Sequence, residues 1–584
     1  MSARKPSKSF RDAVADDHFN TQLGENLSLE YTNAGVGSNV LAISQMVRGA
    51  KANKICSLAN EIFLNPNPNF EDIADLLVLI FATRNCRGGK GEKQLAYSLF
   101  FCAKQKFPLT ALKLLPLFAH YGYWKDLLLI SKAAQDGAEL PPAAKSTLME
   151  CIRIMKEQMV TDIEKSKNDE TIYEISLLAK WLPREGSHFD KKLNFVRLLS
   201  AEMWPARNKR LYSLYRKTVS RLTSYLELPE VVLSARKFDE INFSRVASKA
   251  TLRLSRVFLN ETKNGKIRSH DWKRVRMSEL FVEHFTKQGL KGKQLMPHEI
   301  VRQILRSGDE ISQTREALLD AQWKDLWKHI VHDVKEKARR EGIDFNPTQM
   351  VPLCDVSGSM CGVPMEVSIA LGIGISEITH PAFQNMVLTF SEEPTWHRLT
   401  KTDTIVSKVR SMESANWGMS TNFEAAYDLV LETCLKHKLS YSDVPVMIVF
   451  SDMQFNEALD GSDALTMHDN LKKKFKDAAH ELSWEETDMK PIVYWNLRNT
   501  GGHPVHKDCE GTVMLSGFSA SLLSLVMNGE VLKEQEIEVV DDEGNTETKK
   551  LKITPEEVLR SMLDDSLYDP VRAILLESKE ILSN

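Results

Sequence analysis

The chain has 584 residues, which is too many for one hydrophobic core, so we expect roughly two to four domains. Its 76 Lys and Arg residues nearly balance 79 Asp and Glu residues, and the formal charge of −3 excludes a uniformly basic protein. Any nucleic-acid binding must therefore depend on local patches. No run of about 18 uncharged apolar residues is present, so we expect no membrane span.

The start of the chain is basic but is followed by no apolar segment, so we expect no secretory signal. The 8 cysteines are scattered and form no C-x-x-C pair. Such spacing is typical of thiols in a reducing compartment rather than of a disulfide framework. These features predict a cytoplasmic protein.

The first part of the chain has the periodicity of α-helices. Residues 1–25 are polar and mixed in charge, and we expect a flexible tail there. From about 38 to 340, apolar residues recur every three or four positions, and we assign residues 26–342 to an all-α helical-repeat domain. Asn69 is expected to cap a helix that runs to about residue 81. Further helices are predicted at about 92–106 and 109–120, and a fourth begins near Trp124.

The turn-rich residues 342–347 predict a domain boundary. Short apolar runs then alternate with helical segments, which is typical of an α/β doubly wound domain, here residues 343–535. Strands are predicted near 350–354, 386–390, 395–399, 446–450, 491–495 and 512–515, and helices near 366–378, 402–411, 422–437, 466–482 and 519–527. Residues 536–584 are expected to add a β-hairpin around residues 542–545, a helix capped by Thr554, and a closing segment that packs on the helical region.

Oxygen-bearing side chains follow the predicted strands of the α/β domain. Asp355, Ser357 and Ser359 form a D-x-S-x-S pattern after the first strand, and Asp452 follows strand 446–450. Thr421 opens a helix, with Ser420 as the alternative at that position. A doubly wound sheet gathers ligands at the carboxyl ends of its strands, and hard cations prefer oxygen ligands. The pattern predicts a site for Mg²⁺ (or Mn²⁺); the alternative is an ordinary α/β domain with polar loop ends.

These motifs resemble the metal-ion-dependent adhesion site of von Willebrand A domains, a Rossmann-like fold. The resemblance implies that Ser357, Ser359 and Thr421 ligate the metal directly. It also implies that Asp355 and Asp452 act through water, and that an acidic group of a partner fills the remaining position.

A second resemblance covers about residues 25–575. The segments 82–93, 121–127, 176–186, 417–423 and 450–455 are similar to those of an uncharacterised family of unknown function. That family is similar in architecture to the Ro autoantigen and the TROVE module, in which a ring of HEAT-like helical repeats is closed by a von Willebrand A domain and binds structured or misfolded RNA. The resemblance implies RNA binding only indirectly.

Basic segments give the sequence's own indication of RNA. Cations interleaved with aromatic residues neutralise phosphate and stack unpaired bases. The candidate residues are Arg84, Arg87 and Lys90; Arg207, Lys209, Arg210, Arg216, Lys217 and Arg221, with Tyr212 and Tyr215 between them; and Lys263, Lys266, Arg268, Lys273, Arg274 and Arg276. The alternative for each segment is a solvated helix face. We expect Trp181, Trp323 and Trp327 to lie in the core.

Other chemistry is less well supported. Residues 87–91 lack P-loop spacing, and Ser357 lies in no G-x-S-x-G motif. His503, His506 and Cys509 have no evident fourth zinc ligand. We therefore expect a non-enzymatic metal-dependent binding protein, an RNA-binding or ribonucleoprotein scaffold. Alternatives are a protein scaffold that captures an acidic partner residue without RNA, and a phosphate-handling enzyme at the same metal.

Overall fold

The structure is a computed structural model. It describes residues 20–65, 69–205, 210–308, 311–340, 342, 349–390, 393–414, 422–456, 466–485, 488–527, 535–540 and 546–578. The chain divides into two compact units: unit 1 comprises residues 1–61 and 292–565, and unit 2 comprises residues 62–291 and 566–584. This division differs from the predicted boundary at residue 342, because helices 297–305 and 313–340 pack on helices 363–378 and 405–414 of the α/β part.

Helices dominate the described chain up to residue 340, after one short hairpin. In chain order these elements are β1 Thr21–Leu23, β2 Leu29–Tyr31, α1 Asn39–Ser44, α2 Ala52–Phe63, α3 Phe70–Arg84, α4 Gln94–Lys106, α5 Pro108–Tyr121, α6 Lys125–Ala133, α7 Pro141–Lys165, α8 Leu178–Trp181, α9 His188–Leu193, α10 Phe195–Met203, α11 Leu211–Tyr225, α12 Pro229–Ser234, α13 Ser248–Phe258, α14 Trp272–Gln288, α15 Pro297–Leu305 and α16 Gln313–Arg340.

Strands and helices alternate through most of the remaining chain. These elements are β3 Met350–Cys354, α17 Val363–Ile378, β4 Met386–Thr389, β5 Trp396–Arg398, α18 Ile405–Ser414, α19 Phe423–His437, β6 Val446–Ser451, α20 Met467–Glu481, β7 Ile492–Asn496, β8 Thr512–Ser516, β9 Gln535–Val540, β10 Thr546–Leu551, α21 Pro555–Leu563 and α22 Asp569–Leu576. The predicted fold class, an all-helical region followed by an α/β domain, is confirmed. Residues 520–525 form a 3₁₀ helix, where an α-helix was predicted.

Unit 2 is built of helices, and its helix α3 begins at the predicted cap. The Asn69 side chain accepts a hydrogen bond from the Glu71 backbone N–H at 3.1 Å, which starts α3 as predicted. The segment that closes the chain also belongs to this unit: the Tyr121 hydroxyl donates to the Leu567 carbonyl at 2.7 Å. The rings of Tyr121 and Tyr568 lie 5.6 Å apart. Residues 567 and 568 therefore contact a helix of unit 2.

The α/β part of unit 1 has one six-stranded sheet in the order β5-β4-β3-β6-β7-β8. Only β5 runs antiparallel to its neighbour. Trp323 and Trp327 of α16 are buried, as expected. Gly374 of α17 allows this packing, because a Cβ there would lie 1.6 Å from a Trp327 ring carbon. The helix therefore needs a residue without a side chain at this contact.

The β1–β2 hairpin packs against loops of the same unit. The backbones of Tyr31 and His503 exchange two hydrogen bonds of 2.8 Å, and Leu27 forms a β-bridge with Asn456. Residues 20–25 therefore belong to an ordered hairpin, whereas the sequence suggested a flexible tail up to residue 25. The pairing partners lie more than 400 residues away, so the local sequence could not indicate them.

Two further expectations can be compared with the described residues. None of the helices in the described ranges is long and apolar enough to cross a membrane. Six cysteines are free thiols, namely Cys86, Cys151, Cys354, Cys361, Cys434 and Cys509. Cys56 and Cys102 are disulfide-bonded, which corrects the expectation of thiols throughout.

Candidate functional site

The site is centred on the ends of β3 and β6, two parallel neighbours in the middle of the sheet. Cys354 pairs with Phe450 at the last shared position, so the residues after both strands leave the same edge. The Asp355 N–H donates to the Phe450 carbonyl at 2.9 Å. The Ser451 hydroxyl donates to Asp355 Oδ2 at 2.7 Å. Strand pairing thus brings together residues about a hundred positions apart.

Asp355 is fully buried and organises the loop that follows it. Its Oδ1 accepts a hydrogen bond from the Ser357 backbone N–H at 2.9 Å. Burial raises the pKa of Asp355 to about 6; hydrogen bonds from Ser451 and Ser357 oppose this rise, and the nearby charge of Asp452 adds to it. The carboxylate is therefore held by a hydrogen bond on each oxygen, from the Ser357 N–H and the Ser451 hydroxyl.

The hydroxyls of Ser357 and Ser359 lie on the solvent side of Asp355. Their Oγ atoms are 3.0 Å apart, because the 3₁₀ turn Gly358–Met360 brings Ser359 back toward Ser357. Ser357 is buried and Ser359 is exposed. The hydroxyl pair therefore connects the buried carboxylate with solvent, as a cation site requires.

Asp452 is also fully buried, and both of its carboxylate oxygens accept hydrogen bonds. Oδ1 accepts from the Gln454 N–H at 3.2 Å, and Oδ2 from Arg498 Nη1 at 3.1 Å. The same Arg498 nitrogen lies 3.0 Å from Glu25 Oε2. The guanidinium of Arg498 thus links Glu25 of the N-terminal hairpin to Asp452 at the end of β6.

Glu30 adds another carboxyl group beside this edge. It is buried, which raises its pKa, and it accepts hydrogen bonds from Gln22 at 2.8 Å and from Gln454 at 2.9 Å. Gly502 makes room for it, because a Cβ there would lie 1.8 Å from Glu30 Cδ. The sequence alone does not mark Glu25, Glu30 and Arg498 as residues of this site. The alternating pattern of Thr21–Leu23 and Leu29–Tyr31 around Gly24 was the only local signal of a hairpin.

Thr421 and its alternative Ser420 lie outside the described residues, so their predicted role stays a prediction. The next residue, Asn422, caps α19 by accepting a hydrogen bond from the Ala425 N–H at 2.9 Å. The ring of Phe423 then lies 5.0 Å from that of Phe455 and 6.2 Å from that of Phe390. The described start of α19 is therefore packed against residues that follow β6 and β4.

The donor chemistry of this edge suits a hard cation. Asp355, Ser357, Ser359 and Asp452 offer only oxygen atoms, the ligands that Mg²⁺ and Mn²⁺ prefer. Within the described ranges, no three His, Cys, Asp or Glu side chains group together as a metal site. A cation here would therefore depend on the serine hydroxyls as well as on the carboxylates.

The predicted RNA residues differ in their exposure. Arg84 and Lys90 are buried, and burial lowers the pKa of Lys90 to about 7, so neither presents a cation at the surface. Arg87 is exposed, and its Nη1 donates to the His120 carbonyl at 2.6 Å. Tyr215 is buried, and its hydroxyl donates to the Pro183 carbonyl at 2.7 Å, so it cannot stack on a base.

The remaining basic candidates lie mainly on exposed helix faces. Arg216 pairs with Glu185 at 2.8 Å, and Arg276 with Glu279 at 3.0 Å. Lys273 lies 3.9 Å from an Asp239 oxygen, Arg274 lies over the Phe238 ring, and Lys263, Lys266 and Arg268 are exposed. Arg210, Lys217 and Arg221 are exposed and have no acidic partner in the described part of the chain. Arg207 and Lys209 lie outside it.

The two units carry opposite charge, which the near-zero total conceals. Unit 2 has 41 Lys and Arg against 28 Asp and Glu, a formal charge of +13. Unit 1 has 35 against 51, a charge of −16. A polyanion would therefore be attracted to unit 2 and repelled by unit 1.

The comparisons with known proteins divide the chain at the end of its helical region, near residue 342, rather than between the two compact units. Residues 142–339 match a domain of unknown function (DUF2828), and residues 349–563 match another (DUF7788). An uncharacterised protein, L728 of Acanthamoeba polyphaga mimivirus, is 33% identical over 478 residues, which cover 79% of this chain and 77% of the viral protein. The chain belongs to the same family as this viral protein. The predicted membership of a family of unknown function is confirmed.

The contact between Ser451 and Asp355 can be tested by Ser451→Ala. Loss of this donor to a buried carboxylate should destabilise unit 1 by about 1–2 kcal/mol at pH 8, where Asp355 is ionised. Because the variant raises the pKa of Asp355 further, the loss should shrink as the pH falls toward about 6 and be largely absent at pH 5. Denaturant unfolding at pH 8 and pH 5 measures both effects. The exposed Ser414, which bonds only to its own helix, serves as the control Ser414→Ala; an equal loss at both pH values would contradict this account.

Proposed function

We propose that the protein is a non-enzymatic, metal-dependent binding protein with a von Willebrand A-like site in unit 1 and an RNA-binding surface in unit 2. One observation carries the metal site: Asp355 and Asp452 leave neighbouring parallel strands at one edge, and the Ser357 and Ser359 hydroxyls lie 3.0 Å apart beside Asp355. This arrangement matches what the resemblance to the metal-ion-dependent adhesion site implies.

In the proposed mechanism, Ser357, Ser359 and Thr421 hold Mg²⁺ or Mn²⁺. Asp355 and Asp452 accept hydrogen bonds from the protein on both oxygens, which suits a role in orienting bound water and offsetting charge. A cation held by these residues would supply a binding position for a carboxylate or phosphate of a partner. The two serine hydroxyls contact each other rather than a histidine base, which favours coordination over nucleophilic catalysis.

The charge of unit 2 supports RNA as the partner. The formal charge of unit 2 is +13, and the exposed Arg210, Lys217 and Arg221 have no acidic partner among the described residues. Together they provide the electrostatic attraction that phosphate binding requires. The distant resemblance to Ro and the TROVE module points the same way. The six free thiols suit a cytoplasmic ribonucleoprotein scaffold, whereas the disulfide-bonded Cys56 and Cys102 are unusual for that compartment.

A protein scaffold without RNA is the second candidate. Glu25 favours it, because a carboxylate from the N-terminal hairpin already reaches Asp452 through Arg498. This edge of the sheet thus accommodates an acidic side chain, as capture of an acidic partner residue would require. In this case EDTA and Asp355→Ala should abolish capture of the protein partner equally, and addition of RNA should not change that capture.

The metal site predicts a specific loss of cation affinity. Titration calorimetry with Mg²⁺ and Mn²⁺ should show a single site that weakens at least tenfold in Asp355→Asn and in the double variant Ser357→Ala, Ser359→Ala, since each removes oxygen donors. Ser442→Ala, at an exposed serine that contacts only Ser440 Oγ at 2.8 Å, is the control. Unchanged binding in the first two variants would remove these residues from the site.

The RNA surface predicts a salt-dependent effect of charge reversal. Changing Arg210, Lys217 and Arg221 to Glu should weaken binding of a single-stranded RNA at least tenfold. It should also reduce the slope of log K against log salt by about 2, because three phosphate contacts are lost. A control triple variant changes Lys156, Lys165 and Lys287 to Glu. The change in net charge is identical, because three cations again become carboxylates, but these lysines already have acidic partners in the same unit. Equal losses in both triple variants would show that only the total charge of unit 2 matters.

A further inference from the structure

Two partly exposed aromatic rings of unit 2 lie nearly parallel to each other. Tyr123 lies in the turn between α5 and α6, and Trp181 is the last residue of α8. Their ring centroids are 6.1 Å apart and their planes differ by only 18°. Both side chains are partly accessible to solvent, although Trp181 was expected to lie in the core. We call this pair the Tyr123–Trp181 platform.

Three lysine amines surround the platform. Lys93 Nζ lies 4.8 Å from the Tyr123 centroid, Lys125 Nζ lies 5.2 Å from the Trp181 centroid, and Lys180 Nζ lies 5.7 Å from the Trp181 centroid. Lys93 and Lys125 have no acidic partner in the described ranges, and the nearest acidic oxygen to Lys180, on Glu230, is 3.9 Å away. These amines remain available to neutralise an anion.

A buried ion pair fixes the platform from the protein side. Arg84 Cζ lies 4.6 Å from the Tyr123 centroid, and its Nε donates to Asp126 Oδ2 at 2.6 Å. The Tyr123 N–H donates to the same oxygen at 3.2 Å. Gly122 permits this turn, because a Cβ there would lie 2.0 Å from Asp126 Oδ2. Tyr123 is therefore positioned before any ligand arrives, which lowers the entropy cost of binding.

We infer that the Tyr123–Trp181 platform binds unpaired nucleotides of RNA, with bases stacked on the rings and phosphates at Lys93, Lys125 and Lys180. Base stacking on aromatic side chains accepts any sequence, because every base has a π-face, while nearby cations track the backbone. A duplex keeps its base faces covered, so the platform selects single strands and loops. The inference rests on the proposed RNA-binding function and names the chemistry of its contact.

The competing explanation is local stabilisation, in which the lysines contact the rings only to support the fold. The two explanations differ in their ligand dependence. If the cluster only supports the fold, loss of its rings should change the affinity for every polyanion equally. If it is a stacking site, the loss should weaken binding of phosphates that carry unpaired bases and spare phosphates that carry none.

Fluorescence anisotropy with three probes separates these possibilities: a fluorescein-labelled uridine 20-mer, a 20-base-pair RNA duplex and inorganic polyphosphate of similar length. The full chain should bind the single strand at least tenfold more tightly than the duplex. The double variant Tyr123→Leu, Trp181→Leu should lose at least tenfold in affinity for the single strand and less than twofold for polyphosphate. Lys93→Gln with Lys125→Gln should weaken both and reduce the salt slope by about 1.4.

The control variant Arg153→Gln, Lys156→Gln removes two cations that are paired with acids on and beside α7, and it should leave the single-strand affinity within twofold. Cross-linking of unaltered protein to 4-thiouridine RNA provides a test that needs no variant, and adducts are expected on peptides that contain Tyr123 or Trp181. Full single-strand affinity in the ring variant, or adducts only elsewhere, would overturn the platform and leave RNA binding intact. Failure of the unaltered protein to bind the 20-mer at low salt would overturn both.

Discussion

The parallel pairing of β3 with β6 is the constraint on which the candidate metal site depends. Cys354 and Phe450 are the last paired residues of the two strands. Asp355 and Asp452 therefore leave the sheet at the same edge, and no contact between the loops is needed to bring them there. Burial of Asp355 raises its pKa, and the nearby charge of Asp452 adds to this rise, so ionising both carboxylates at this edge is costly. Hydrogen bonds from Ser451, Gln454 and Arg498 offset that cost, and a divalent cation would offset it further.

The segregation of charge between the two units gives the proposed functions separate locations. Unit 1, at −16, surrounds a site suited to cations, and its own Glu25 and Glu30 lie near the strand ends. Unit 2, at +13, provides cations and partly exposed aromatic rings. A phosphate chain and a divalent cation therefore have no need to compete for one surface. The membership of a family of unknown function leaves both roles as proposals.

Periodicity and capping signals were enough to predict most elements of the fold. The strand at 350–354, the cap at Asn69 and the helix start at Thr554 and Pro555 follow from local residues, because each depends on contacts within a few positions. The candidate site was predictable to the extent that strand order places Asp355 beside Asp452. The contribution of Glu25 was not, since it depends on contacts across more than 400 residues.

Burial of charged residues was the main point at which the sequence misled. The glycine-rich loop around Arg84 and Lys90 has the composition of an exposed basic segment, yet both cations are buried. Asp126 compensates Arg84 from 42 residues away, and no local pattern marks that pair. Asp126 also fixes Tyr123 beside Trp181. Because the burial of this ion pair was not predicted, the aromatic pair proposed to bind RNA was not predicted either.

A crystal structure of the protein with Mn²⁺, phased by its anomalous signal, tests the central claim most directly. The account predicts one strong anomalous peak within coordination distance of the Ser357 and Ser359 hydroxyls, with Asp355 and Asp452 reaching it directly or through water. A peak elsewhere, or none at millimolar Mn²⁺ while these side chains keep the arrangement described above, would contradict a cation site at the ends of β3 and β6.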